Sequence, residues 1–142
     1  MANTYFEDMK VNVRIKLSAL WTSLMFCYLY GDYFELYVPG KTEGLITGEN
    51  MLDTPLKLFA ATFMLTVPAL MVFLSLVLKP AVCRIVNIIL GIFFTLLMLL
   101  IAASSLTGWR IFYVFLAIVE SIITICVIWQ AWKWPKTEVA GV

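Results

Sequence analysis

The chain has 142 residues, of which 63% are hydrophobic and 13% charged, whereas a soluble domain averages about 25% charged residues. Too few charges remain to cover a water-facing surface, and a formal net charge of +1 leaves no basic face of the kind that nucleic-acid binders carry. The absence of histidine excludes bis-histidine haem, imidazole-bound zinc and histidine acid–base chemistry.

Residues 1–16 are polar and include Glu7, Asp8, Lys10, Arg14 and Lys16. Four apolar runs follow, at about 17–38, 56–78, 85–106 and 111–132. Each is about 22 residues long, close to the roughly 20 that cross a hydrocarbon core of about 30 Å. The first is too long for a signal-peptide core, and no A-x-A site follows it. The joins, KTEGLITGENMLDT, KPAVCR and TGWR, are short and rich in turn residues. The expected fold class is therefore all-α: a single polytopic membrane domain over 1–142 with four transmembrane helices.

Orientation follows from the basic residues. With both termini inside, Lys10, Arg14, Lys16, Lys79, Arg84, Lys133 and Lys136 face the cytoplasm, and Lys41, Lys57 and Arg110 face out. Seven against three is the bias that short cytoplasmic loops carry. Trp129, Trp132 and Trp134 beside Lys133 and Lys136 then read as an inner interfacial anchor. The expectation is an N-in, C-in bundle whose first loop is acidic, with Glu43, Glu49 and Asp53.

Within the fourth run stands Glu120. At about 1.5 Å per residue it lies roughly 15 Å below the outer boundary, near the midplane. A carboxylate there costs a few kcal/mol or more if charged and unpaired. It needs a partner, a proton or a function. Asp32 and Glu35 enter the first run from its outer end, roughly 10 Å and 6 Å deep on the same count, so Asp32 and Glu120 share one polar pocket if the first and fourth helices touch. Both acids at the outer end also fit the headgroup region, amid Tyr28, Tyr30, Tyr33 and Tyr37.

The helical periodicity groups the polar residues into stripes. Trp21, Leu24, Tyr28, Asp32 and Glu35 share one face of the first helix, and Tyr113, Ala117, Glu120, Thr124 and Val127 one face of the fourth. The third offers Asn87, Gly91, Thr95, Met98, Ala102 and Ser105, and the second Thr62 and Thr66 above Pro68. A polar stripe on each helix is how a bundle turns its polar side from lipid. Plain helix packing explains the small residues of the third equally well. The candidate ligand- or proton-binding residues are Glu120, Asp32, Glu35, Tyr28, Tyr113 and Thr124. Burial penalises the charged form of a carboxyl, and a nearby second acid penalises it further, which suits binding and release of a proton. The structural alternative for Glu120 is a hydrogen bond as a neutral acid to Tyr28, Asn87 or a threonine, with depth arguing against Asn87.

No cofactor or metal is implied. Cys27, Cys83 and Cys126 stand alone, without the close pairing of redox or zinc motifs, and the nucleotide, nucleophile-elbow and zincin motifs are missing. Three functional classes remain. The first is proton- or cation-coupled transport by a homo-oligomeric carrier or channel. The second is an intramembrane binding protein or isomerase for a small lipophilic or cationic ligand. The third is an accessory or scaffold subunit.

The segments SALWTSLMFCYLYGD, PALMVFLSLVLKPAVCRIVNIILG and YVFLAIVESIITICVIWQAWKW together resemble an uncharacterised family of small bacterial four-helix membrane proteins, a domain of unknown function. The resemblance spans nearly the whole chain and includes Asp32, Glu120 and Trp132. It implies the four-helix topology and a bacterial inner-membrane location, and transfers no catalytic residue.

Overall fold

The structure is a computed structural model that describes residues 9–106 and 108–135; Glu7, Asp8, Thr107 and Lys136, used above, lie outside them. The described residues are helical, without strands. The elements are α1 (Val13–Glu35), α2 (Lys41–Thr47), α3 (Pro55–Val77), α4 (Pro80–Ser104), a 3₁₀ turn (Gly108–Arg110) and α5 (Ile111–Trp132).

Local chemistry sets the ends. Asn12 caps α1, its side chain accepting the Arg14 N–H at 2.9 Å, so the helix starts one turn before the apolar run. It stops at Glu35 because Pro39 and Gly40 follow, the latter left-handed at φ 78°. Thr54 caps α3 by accepting the Lys57 N–H. Pro55 and Pro80 open α3 and α4, where a missing N–H costs nothing. Helix α4 thus begins five residues before its apolar run, whereas α5 coincides with the expected 111–132. The short helix α2 lies inside the first loop, where only turn chemistry was expected.

Helices α3, α4 and the stretch Gly108–Trp132 are long and apolar enough to cross a membrane. The expected fourth span, α1, has the length, 23 residues, but not the apolarity. Ser18, Thr22, Ser23, Tyr28, Tyr30, Tyr33 and Asp32 dilute it. Large apolar side chains cover the outside, among them Phe59, Phe63, Phe73, Ile89, Leu96, Phe115 and Ile122.

Helix α5 packs on α4 and α1, and α1 packs on α3, while α3 and α4 meet only sparsely. Trp21, Leu24 and Tyr28 of α1, Met71 of α3, Phe94 and Met98 of α4, and Val127 of α5 fill the centre. Trp21 meets Phe94 edge-on at 6.0 Å. At Gly91 a β-carbon would stand 2.7 Å from Ile128 Cγ1, so glycine is what lets α4 approach α5.

The two ends differ in charge. The starts of α1 and α4 and the ends of α3 and α5 lie together. Arg14 donates to the Leu76 carbonyl at 2.8 Å, and Arg84 to the Ala131 carbonyl at 3.2 Å. Arg84 also lies over the Trp132 ring, and Lys133 over Trp129 at 4.0 Å. This basic end is opposite the loop end, which carries residues 36–54 and the 3₁₀ turn.

Candidate functional site

The site is built where α1 meets α5. Gly31 faces α5, and a β-carbon there would rest in ordinary van der Waals contact, 3.5 Å from Leu116 and 3.6 Å from Tyr113. Tyr28 of α1 comes near Tyr113 and Glu120 of α5, with Asp32 exposed on the rim but within electrostatic reach.

Glu120 is 5% exposed. Among the described residues its carboxyl makes no ion pair within 4.0 Å, and no hydrogen bond to it is formed. Its backbone carbonyl, by contrast, accepts from Thr124 at 3.0 Å. Tyr28 is buried as well, and its hydroxyl has no hydrogen-bond partner. Its ring leans on Phe94 at 6.5 Å. Tyr28 and Tyr113 are within electrostatic reach of Glu120, and the charge of Asp32 reaches both Glu120 and Tyr113. Two carboxyls and two phenols thus occupy one neighbourhood in the loop-end half of the bundle. Buried polar groups in proteins are nearly always paired, which makes the Tyr28 hydroxyl, like the Ser75 hydroxyl of α3, an exception that needs an explanation.

The candidate residues separate in environment. Thr124 is fully buried. Its hydroxyl lies 3.0 Å from the Glu120 and Ser121 carbonyls and 2.7 Å from the Thr95 hydroxyl, which ties α5 to α4 beneath Glu120. Glu35 is half-buried and paired twice, with Lys41 at 2.6 Å and with Arg110 at 3.4 Å. It pins α1 to the first loop and to the start of α5. Tyr113 is half-buried.

Asp32 is exposed, off the expected stripe. The buried line of α1 runs Leu17, Trp21, Leu24, Tyr28 and Gly31, so that Asp32 stands about 100° from Gly31 around the helix. Thr62 and Thr66 do not turn inward either. Both are exposed, and their hydroxyls donate to the carbonyls of Leu58 and Thr62, 2.9 and 2.8 Å away. The expected faces of α4 and α5 are close to those found, with Cys83 and Phe94 added on α4 and Ser121 and Ala131 on α5.

One polar pair escaped the sequence reading. The Trp21 indole N–H donates to Asn87 Oδ1 at 2.7 Å, fully buried, and Asn87 Nδ2 donates to the Cys83 carbonyl at 2.8 Å. A polar residue on the inner stripe of α4 together with a tryptophan on that of α1 was the available signal, since a buried indole N–H seeks an acceptor.

An all-helical chain with three helices able to cross a membrane, and a carboxyl buried among them, defines the class only as a candidate integral membrane protein. The chain matches the family of unknown function DUF6326 over residues 5–141 and belongs to it. No curated protein and no solved structure matches it.

Proposed function

We propose that this protein is a membrane carrier in which Glu120 binds and releases a proton or a cation, with Asp32 as the second carboxyl on its path. One observation carries the reading. Glu120 is buried and unpaired among the described residues, beside a Tyr28 hydroxyl that has no partner. Ionisable groups kept inside a membrane face a functional pathway by default. Tyr113 lines the site, Thr124 holds the α5 backbone below it, and Glu35 closes its loop-end rim.

In this reading α1 spans with α3, α4 and α5, giving four spans with both termini cytoplasmic. The sorting of charge supports that orientation, with Arg14, Lys16, Lys79, Arg84 and Lys133 at the end shared by the helix termini. The location is a bacterial inner membrane. One four-helix unit is small for a complete path, so the carrier works as a homo-oligomer, and its cargo is a small cation or lipophilic cation attracted by carboxylates and aromatic faces.

The test is Glu120→Gln in proteoliposomes under an imposed pH gradient, with cationic dyes as probes. Coupled flux disappears while helicity and elution behaviour stay those of the parent, and a pH-responsive carboxyl infrared band is lost with it. Flux that remains coupled in the variant would remove Glu120 from the mechanism.

A further inference from the structure

The basic end of the bundle carries charge that no described carboxylate answers. Arg14, Lys16, Lys79, Arg84 and Lys133 gather where α1 and α4 start and α3 and α5 stop. The described carboxylates lie at the loop end, apart from Glu120 in the core, and the ion pairs they make are all at the loop end. Two of the five cations are fixed in position. Arg14 donates to the Leu76 carbonyl and Arg84 Nε to the Ala131 carbonyl, in the last turns of α3 and α5. Both side chains are half-buried. A guanidinium has five N–H donors, and among the described residues each of these groups uses one. Arg14 binds through Nη1, so its Nε and Nη2 edge is unbonded. Arg84 lies over the Trp132 ring at 5.9 Å with its two Nη atoms unbonded.

The two arginines flank the first turn of α4. Cys83 Sγ donates to the Ser75 carbonyl at 3.4 Å and Arg14 to the next carbonyl, that of Leu76, so both meet one turn of α3. Arg14 is accordingly within electrostatic reach of Cys83. Arg84 follows Cys83 and turns to α5 instead. The N-cap of α4, Lys79, offers no side-chain acceptor to the first N–H groups, and the positive end of the helix dipole adds to the same field. Trp129 and Trp132 are exposed beside Lys133 and Arg84, which sets this end at the level of lipid headgroups.

We infer that the start of α4, flanked by Arg14 and Arg84, is a binding site for the phosphate of an anionic phospholipid. Planar guanidinium edges match phosphate oxygens two at a time, and basic clusters between spanning helices hold such headgroups. The bound phosphate links the ends of α3 and α5 through the two arginines. Lys16, Lys79 and Lys133, all exposed, add attraction without fixing geometry. The inference requires a chain embedded in a bilayer and goes beyond the carrier reading, since it requires no transport.

Native mass spectrometry from mixed micelles compares retention of phosphatidylglycerol with that of phosphatidylcholine carrying the same acyl chains. The parent retains phosphatidylglycerol in preference. Arg14→Gln with Arg84→Gln weakens that binding about thirtyfold, the effect of two basic groups at a membrane surface. Lys41→Gln with Lys57→Gln, at the loop end, leaves it unchanged. Arg14→Lys with Arg84→Lys keeps the charge but not the planar edges, and it also lowers the preference, whereas a diffuse basic surface would keep it. Excess glycerol phosphate does not displace the lipid. Circular dichroism confirms the fold of each variant, and the lysine pair decides the matter if the glutamine pair fails to fold. Equal retention of the two lipids, a preference unchanged in the lysine pair, or displacement by glycerol phosphate would overturn the inference. Each of these results leaves the Glu120→Gln flux experiment to judge the carrier reading independently.

Discussion

The Trp21–Asn87 bond allows a quantitative check of the side-chain contact that α1 makes with α4 across the core. Both residues are fully buried, and the 2.7 Å indole bond joins residues 66 apart in sequence. Asn87→Leu keeps the side-chain volume close to the original but strips the acceptor, leaving a buried N–H unpaired. That costs about 1–3 kcal/mol by soluble-protein measures. Interhelical bonds inside membranes average nearer about 0.6 kcal/mol, but Trp21 is walled in by Phe94 and has no second acceptor. The upper part of that span therefore applies, about 1.5 kcal/mol. Trp21→Phe removes the donor together with part of the ring, and costs about 1–2 kcal/mol through lost packing. In the double variant no polar group is orphaned by the pair, so its loss falls short of the sum by about 1 kcal/mol. The assay is reversible unfolding in mixed micelles, followed by circular dichroism for the parent, both single variants and the double. Strict additivity would refute the coupling of Trp21 with Asn87 across the core.

Gly91→Leu forces α4 away from α5, because even a β-carbon would meet Ile128 Cγ1 at 2.7 Å. A loss of about 2 kcal/mol is expected, and Ile128→Ala in the same chain recovers part of it in the same unfolding assay. Glu35→Gln removes the carboxylate shared by Lys41 and Arg110. Because the group is half-buried and its partners partly exposed, the loss is modest, about 1 kcal/mol, and it shrinks as salt rises. Protease cleavage within residues 36–54 accelerates in step, and an unchanged cleavage rate would deny Glu35 its role as a pin.

Much of the fold is legible in the chain, since spans and faces are local properties. An apolar run near 20 residues long announces itself without a partner, and the 3.6-residue period names the face it buries. Of the expected α4 stripe, Asn87, Gly91, Met98 and Ser105 are buried while Thr95 and Ala102 are half-buried, and of the expected α5 stripe Ala117, Glu120, Thr124 and Val127 are buried while Tyr113 is half-buried. Helix starts were less legible because apolarity and helicity are different quantities. Arg14 and Lys16 are polar yet helical, held by the Asn12 cap, and Pro80 opens α4 ahead of its apolar run. On α1 the expected line mixed two azimuths. Gly31 completes the buried stripe and Asp32 stands beside it, since one residue along a helix is about 100° around it.

The sequence by itself determined the helical class, the apolar segments and the presence of a carboxyl deep in the last of them. Composition and periodicity encode these directly, residue by residue. Only the tertiary structure decided what each acid meets. It gave Glu35 to Lys41 and Arg110, left Glu120 near the unpartnered Tyr28 hydroxyl, and left Asp32 exposed. The reason is physical. Pairing depends on the register and azimuth at which helices dock, and those are fixed by side-chain fit between segments far apart in the chain. The glycine at Gly91 sets how closely α4 and α5 approach.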